Sequence, residues 1–201
     1  GLFVAVSIFG FPNQVMTSPD GITWTSQTSA ADKFWRSVTW GNGLFVAVAS
    51  SGAPDRAMTS PDGINWTLQT TPSPNSAWYA VTWGNDLFVA VAFEGSDDNL
   101  IMTSPDGITW TSRTAPSDAW LDVTWGNDLF VAVADSGAHR VMTSPDGINW
   151  TSRTSAAQNK WRSVTWGDGL FVAVANTGSN NRVMTSPDGI NWTLQTTPSP
   201  N

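Results

Sequence analysis

This sequence is notable first for what it lacks. It has no cysteine, one tyrosine, one histidine and one glutamate, and only 12% of its 201 residues are charged. The absence of cysteine removes disulfides and thiolate metal sites. No apolar run approaches the ~20 residues of a membrane-spanning helix, so membrane insertion is not expected. The net charge of −7 argues against a general nucleic-acid binder, which needs a basic stripe. There is neither an initiator Met nor a signal-peptide pattern, so the chain reads as a processed piece or an excerpt of a longer array. Few charges with abundant Ser, Thr, Asn and Gly indicate short strands and turns, and the composition is that of a soluble chain.

What is present is repetition. The block Met-Thr-Ser-Pro-Asp-Gly-Ile-Thr/Asn-Trp-Thr begins at Met16, Met58, Met102, Met142 and Met184. In each copy Pro19 or its equivalent presets φ for a turn, and Gly21 tolerates the positive φ that follows. Ser18 and Asp20 can accept hydrogen bonds from the turn's own backbone. Asp62, Asp106, Asp146 and Asp188 read as turn caps in the same way. Around this hairpin a complete unit, such as the fifth, supplies four β-prone stretches: W-x-x-V-T-W (strand A), L-F-V-A-V (B), V-M-T (C) and W-T-x-Q (D).

The hairpin Ser18-Pro19-Asp20-Gly21-Ile22-Thr23-Trp24 resembles the Asp-box of sialidase-type β-propellers, Ser-x-Asp-x-Gly-x-Thr-Trp, which joins the third and fourth strands of a blade. All five copies lack the residue between Asp and Gly. The resemblance implies a structural role for Ser18, Asp20, Gly21 and Trp24, and for Ser60, Asp62, Gly63 and Trp66. It implies the same for Ser104, Asp106, Gly107 and Trp110, for Ser144, Asp146, Gly147 and Trp150, and for Ser186, Asp188, Gly189 and Trp192.

Successive blocks are 42, 44, 40 and 42 residues apart, the size of a four-stranded propeller blade. The expected fold is all-β, a five-bladed β-propeller of four-stranded antiparallel blades whose first blade lacks its A strand. It forms one repeat domain over 1–201, with blades near 1–28, 29–71, 72–114, 115–154 and 155–201. A linear β-solenoid is the alternative. Length changes fall only in the B–C loops and D–A linkers, so one face of the disc is constant and the other variable. Residues 58–75 and 184–201 are identical, 126 positions apart, which suggests recent amplification.

Sialidase chemistry needs an arginine cluster and a Tyr–Glu pair. Tyr79, Glu94 and His139 read as lying in different blades, and the chain is therefore expected not to be an enzyme. Asp97-Asp98 beside Glu94 reads as a solvated loop rather than a calcium site, and no metal or cofactor is expected. Asn65, Asn149 and Asn191 match the glycosylation sequon because the block recurs. The start of strand A lies near the variable face, so Trp35, Arg36, Trp78, Tyr79, Trp120, Asp122, Trp161 and Arg162 are the candidate ligand-binding residues, set against core packing for the indoles. Five-bladed tachylectin-type lectins are similar in blade count and Trp use, though not in motif.

Two functions follow as expectations. One is a non-enzymatic, lectin-like module that recognises a glycan or surface protein through the variable face. The other is a structural or adhesive building block of an extracellular filament, cell surface or virion. Either places the chain outside the cell or on a surface, and the missing A strand points to self-association or a longer repeat array.

Overall fold

The computed structural model describes residues 1–72, 76–95 and 99–198, and among them every regular element is a β-strand. Blade one contains β1 (Phe3–Val6), β2 (Val15–Ser18) and β3 (Thr25–Gln27). Blade two contains β4 (Trp35–Gly41), β5 (Leu44–Ala49), β6 (Ala57–Ser60) and β7 (Thr67–Gln69). Blade three contains β8 (Ala77–Gly84), β9 (Leu87–Glu94), β10 (Ile101–Ser104) and β11 (Thr111–Arg113). Blade four contains β12 (Trp120–Gly126), β13 (Leu129–Ala134), β14 (Arg140–Ser144) and β15 (Thr151–Thr154). Blade five contains β16 (Trp161–Gly167), β17 (Leu170–Ala175), β18 (Val183–Ser186) and β19 (Thr193–Gln195). Each blade is an antiparallel meander; four have four strands and the first has three, giving a five-bladed β-propeller.

The A–B hairpins turn tightly because both central residues hold positive φ, as at Asn85 (48°) and Asp86 (56°). This is the turn whose twist matches that of the flanking strands. The turns also reach across blade boundaries. Asn42 Nδ2 donates to the Pro105 carbonyl (3.3 Å), Asn85 to Pro145 (3.4 Å) and Asn127 to Pro187 (3.4 Å). The A–B turns and the Ser-Pro-Asp-Gly turns therefore share one face.

Each blade packs on the next through two close approaches. A Cβ added at Gly41 would sit 2.2 Å from Trp83, at Gly84 2.1 Å from Trp125, and at Gly126 2.1 Å from Trp166. Only glycine lets the following blade's indole lie flat on the inner strand. The turn glycines do the same farther out: Gly107 lies against Leu44 and Val46, Gly147 against Leu87 and Val89, and Gly189 against Leu129 and Val131. The contact stops between blades five and one. Gly167 has nothing within 4 Å, and Gly21 meets only Phe3 of its own blade.

In the A strands one extra residue bulges out. Trp35 pairs with Ala49 and Ser37 with Val48, leaving Arg36 unmatched; Leu121 and Arg162 hold the same place in blades four and five. The bulge breaks strict alternation along the strand, and the Trp beside it lies in the core in each of these blades.

Candidate functional site

Three regions present repeated side chains, and their chemistry differs. The first is the set of Ser-Pro-Asp-Gly turns. Ser18 Oγ donates to Asp20 Oδ1 (2.9 Å) and accepts from the Gly21 N–H (2.8 Å), while Asp20 Oδ1 accepts from the N–H groups of Ile22 and Thr23 (both 2.8 Å). The Thr23 and Ile22 amides hold the Asp20 carboxyl down at about 2. In three copies Asn65, Asn149 and Asn191 add a side-chain amide to the second carboxylate oxygen (2.8 Å), so the sequon asparagines are already engaged. Asp62, Asp146 and Asp188 are likewise held below the usual carboxylate range. Each Trp that closes the block donates its indole N–H to the turn glycine's carbonyl, as Trp110 does to Gly107 (3.0 Å). Such an array stabilises its own hairpin and leaves these carboxylates occupied.

The second region is the variable face, where the structure corrects the candidate ligand row. Trp35, Trp78, Trp120 and Trp161 are 0–1% exposed, so none can stack on a sugar ring. Trp35, Trp120 and Trp161 donate their indole N–H to a carbonyl four residues back, at Ala31 (3.1 Å), Pro116 (2.9 Å) and Ala157 (3.1 Å). These four indoles are core. Asp122 is half-buried and already engaged: it accepts from Ser163 Oγ (2.6 Å) and the Val164 N–H (2.9 Å) of blade five, and desolvation pushes its carboxyl up. The remaining three stay nearer the surface but have partners. The Arg36 guanidinium lies 4.6 Å over the Tyr79 ring and its Nε donates to Ser50, while Arg162 pairs with Asp135 at 2.8 Å. The structure thus joins Arg36 to Tyr79 and leaves Arg162 with a separate acid.

The loops of this face are tied in a relay that sequence reasoning missed. Two residues before each A-strand Trp stand Lys33, Ser76, Asp118 and Asn159, all buried. Each reaches the B–C loop of its own blade. Lys33 donates to the Gly52 carbonyl, and Ser76 to Asn99 (3.2 Å). Asp118 accepts from the Ala138 N–H (2.9 Å), and Asn159 donates to the Asn181 carbonyl (2.8 Å). Going the other way, Gln14, Arg56 and Arg140 donate to the Lys33, Ser76 and Asn159 carbonyls at 2.8, 2.5 and 2.7 Å. The only sequence signal was that these positions, two before each Trp and two before each Met, are polar in almost every copy. His139 stands exposed here, its Nδ1 3.9 Å from Asp118 Oδ2, a carboxylate that can orient an imidazole.

Tyr79 and Glu94 do not lie in different blades. Both belong to blade three, on paired strands in which Ala77 stands opposite Glu94. Asp97 and Asp98 fall outside the described residues. Among the described residues no group of three or more His, Cys, Asp or Glu could hold a metal ion. Nor is any helix there long and apolar enough to cross a membrane.

The third region is the rim. Between blades three and four a groove of about 620 Å³ runs between Ser112, Arg113 and Thr114 on one wall and Ile148, Asn149 and Trp150 on the other. It recurs between blades four and five at about 490 Å³, with Arg153 facing Ile190, Asn191 and Trp192. Arg113 Nε donates to Thr103 Oγ1 (3.0 Å) and Arg153 Nε to Thr143 Oγ1 (2.9 Å). In the other three blades a glutamine makes the same bond: Gln27 to Thr17, Gln69 to Thr59 and Gln195 to Thr185. The position therefore has one structural duty. Arginine adds to it a guanidinium edge in a groove whose far wall carries a half-exposed isoleucine and an indole.

Comparison with known proteins bears on the fold. No family model matches the chain, and no curated protein matches it. Among solved structures, it is similar to virginiamycin B lyase from Staphylococcus aureus, with a TM-score of 0.78 and 17% identity over 96% of this chain and 69% of that one. A streptogramin B lyase gives 0.79 and 15% over 94% of this chain and 63% of that one, so the chain spans about two thirds of these proteins. YCF48 bound to a D1 peptide gives 0.64 and 19%, over 92% of this chain and 61% of that one. The sequence-based exclusion of an enzyme is overturned: it weighed only sialidase chemistry, and β-propellers include lyases. At such identities the shared property is the β-propeller fold.

Proposed function

We propose that the chain is a multivalent binding propeller whose two arginine grooves each hold a carboxylate-bearing segment of a partner protein. The observation that carries this reading is the recurrence of one groove at consecutive blade interfaces, with a guanidinium on one wall and Ile and Trp on the other. Of the nine Lys and Arg, six lie between positions 113 and 182. Arg140, Lys160, Arg162 and Arg182 of that group are engaged with the loops of the variable face, leaving Arg113 and Arg153 on the rim.

A guanidinium is suited to bidentate recognition of a carboxylate. The last strand of each blade has a strand neighbour on one side only, the kind of sheet edge that an extended peptide can join. Two weak sites engaged by one ligand gain from effective concentration. A propeller that binds a peptide, as YCF48 does, makes a peptide segment the preferred ligand class. In this reading the Ser-Pro-Asp-Gly hairpins are shortened Asp-boxes with a structural role, and the site lies on the rim instead of the variable face. Display of the ligand on a cell, virion or filament fits an extracellular or surface setting.

The test is to probe an acidic-peptide array and a glycan array in parallel with the wild-type chain and with Arg113→Gln/Arg153→Gln. Binding to acidic peptides that disappears in the double variant is expected. Binding only to carboxylated glycans would change the ligand class and restore the lectin reading, and binding unaltered in the double variant would remove the grooves from the account.

A further inference from the structure

The repeat makes every blade a two-sided part. One side presents the first, third and fifth residues of strand B, and the other presents the second and fourth with the C-strand Met and the Trp after the turn. Between blades four and five, Val131 and Val133 form one apolar cluster with Trp161, Phe171, Ala173 and Met184. Leu129 and Val131 also close on Gly189. The same seam joins each consecutive pair of blades, and Met58, Met102, Met142 and Met184 are fully buried in it.

Two of these sides are open. On blade five Leu170 is 40% and Val174 43% exposed, where Val48, Val91 and Val133 are 0%. On blade one Met16 is 44% and Phe3 55% exposed. The two open sides are complementary by sequence. Leu170, Val172 and Val174 repeat Leu129, Val131 and Val133, while Phe3, Ala5 and Met16 repeat Phe171, Ala173 and Met184.

We propose that blade five of one copy docks on blade one of a second copy, head to tail, by the seam the chain already makes between its own blades. The occupant is specified by the interior: an apolar side whose repeat-equivalent is covered four times by one surface is complementary to that surface when a second copy presents it. The contact is heterologous, because the two sides differ, so it generates chains or closed rings of copies and not a face-to-face pair. It lacks one element of the interior seam. Among the described residues blade one has three strands, and they offer no counterpart of Trp83 on Gly41 to lie on Gly167. Association is therefore weaker than blade packing within the chain and depends on concentration.

Sedimentation velocity over a concentration series tests this. The wild type should pass from monomer to dimer and larger species. Met16→Asp blocks one side and Val174→Asp the other, and both positions are exposed enough for the variants to fold, which circular dichroism checks. Phe3→Asp supplies a second block on the blade-one side. Each variant alone should remain monomeric, because every junction needs both sides. An equimolar mixture of Met16→Asp and Val174→Asp should give a one-to-one dimer and nothing larger, since each supplies the side the other lacks. A wild type that stays monomeric, a single variant that associates as the wild type does, or a mixture that stays monomeric would overturn the proposal.

Discussion

The two faces of this propeller solve one problem in opposite ways. On the constant face the same short network is built five times, with Ser18, Ser60, Ser104, Ser144 and Ser186 each donating to the Asp two residues on. On the variable face the equivalent positions Lys33, Ser76, Asp118 and Asn159 perform one task, tying a linker to a loop, with four different side chains. A turn that satisfies itself tolerates no change of chemistry, because donor and acceptor sit within four residues. A tie between two loops tolerates any pair that can meet. Sequence variation on that face thus records different solutions to a structural demand and does not by itself mark recognition.

The largest effect should come from the indole row beneath the variable face. Trp120→Ala removes a fully buried side chain and should cost ~3–5 kcal/mol in urea denaturation. Trp40→Ala, at a half-exposed indole on the constant face, should cost much less. Equal losses would break the distinction between the two rows.

Next in size is the tie. Asp118→Ala leaves the Ala138 N–H without its acceptor and should cost ~1–3 kcal/mol, with faster amide exchange confined to the neighbouring B–C loop. Exchange unchanged in that loop would mean that the tie holds nothing.

The constant face should respond through pH. A carboxyl held low in the folded state gives stability that is complete above the unfolded value of about 3.9 and is lost as pH falls through the folded value. Asp20, at about 2, and the four equivalent turn acids all act in this direction. Asp122, pushed up by burial, acts in the opposite one, but it is a single group. Melting temperature should therefore drop between about pH 4 and pH 2, and Asp106→Ala should reduce that drop while lowering the melting temperature modestly at pH 7. A melting temperature flat across that window would contradict the capping role.

Much of this architecture was legible in the sequence, for physical reasons. The block spacing marks blades because a four-stranded sheet with short turns needs about forty residues, and Asn42-Gly43 marks a tight hairpin because both residues accept positive φ. A strand's first residue borders a loop, so the sequence alone leaves the Trp35 row open between a surface platform and core packing. The bulge at Arg36, which accompanies the inward turn of that Trp, has no signature in one sequence. Nothing in the sequence singles out Arg113 and Arg153 at the end of strand D. Their significance lies in the facing wall, which comes from the next blade some 35 residues later. The mismatch at the chain's two open sides was only half visible: counting strands revealed the absent A strand, but the exposure of Met16 and Val174 needed the fold.

The smallest structural effect should come from Arg113→Gln/Arg153→Gln, because Gln27 and Gln69 already make the same bond to threonine. That neutrality makes the pair the cleanest probe of the central claim, that the arginine grooves bind carboxylate-bearing segments. The decisive measurement is isothermal titration of one short acidic peptide, taken from the array, into three forms of the chain. The account predicts two sites in the wild type, none in Arg113→Gln/Arg153→Gln, and four in Gln27→Arg/Gln69→Arg. A stoichiometry that ignores these substitutions, in proteins with unchanged melting temperatures, would contradict it.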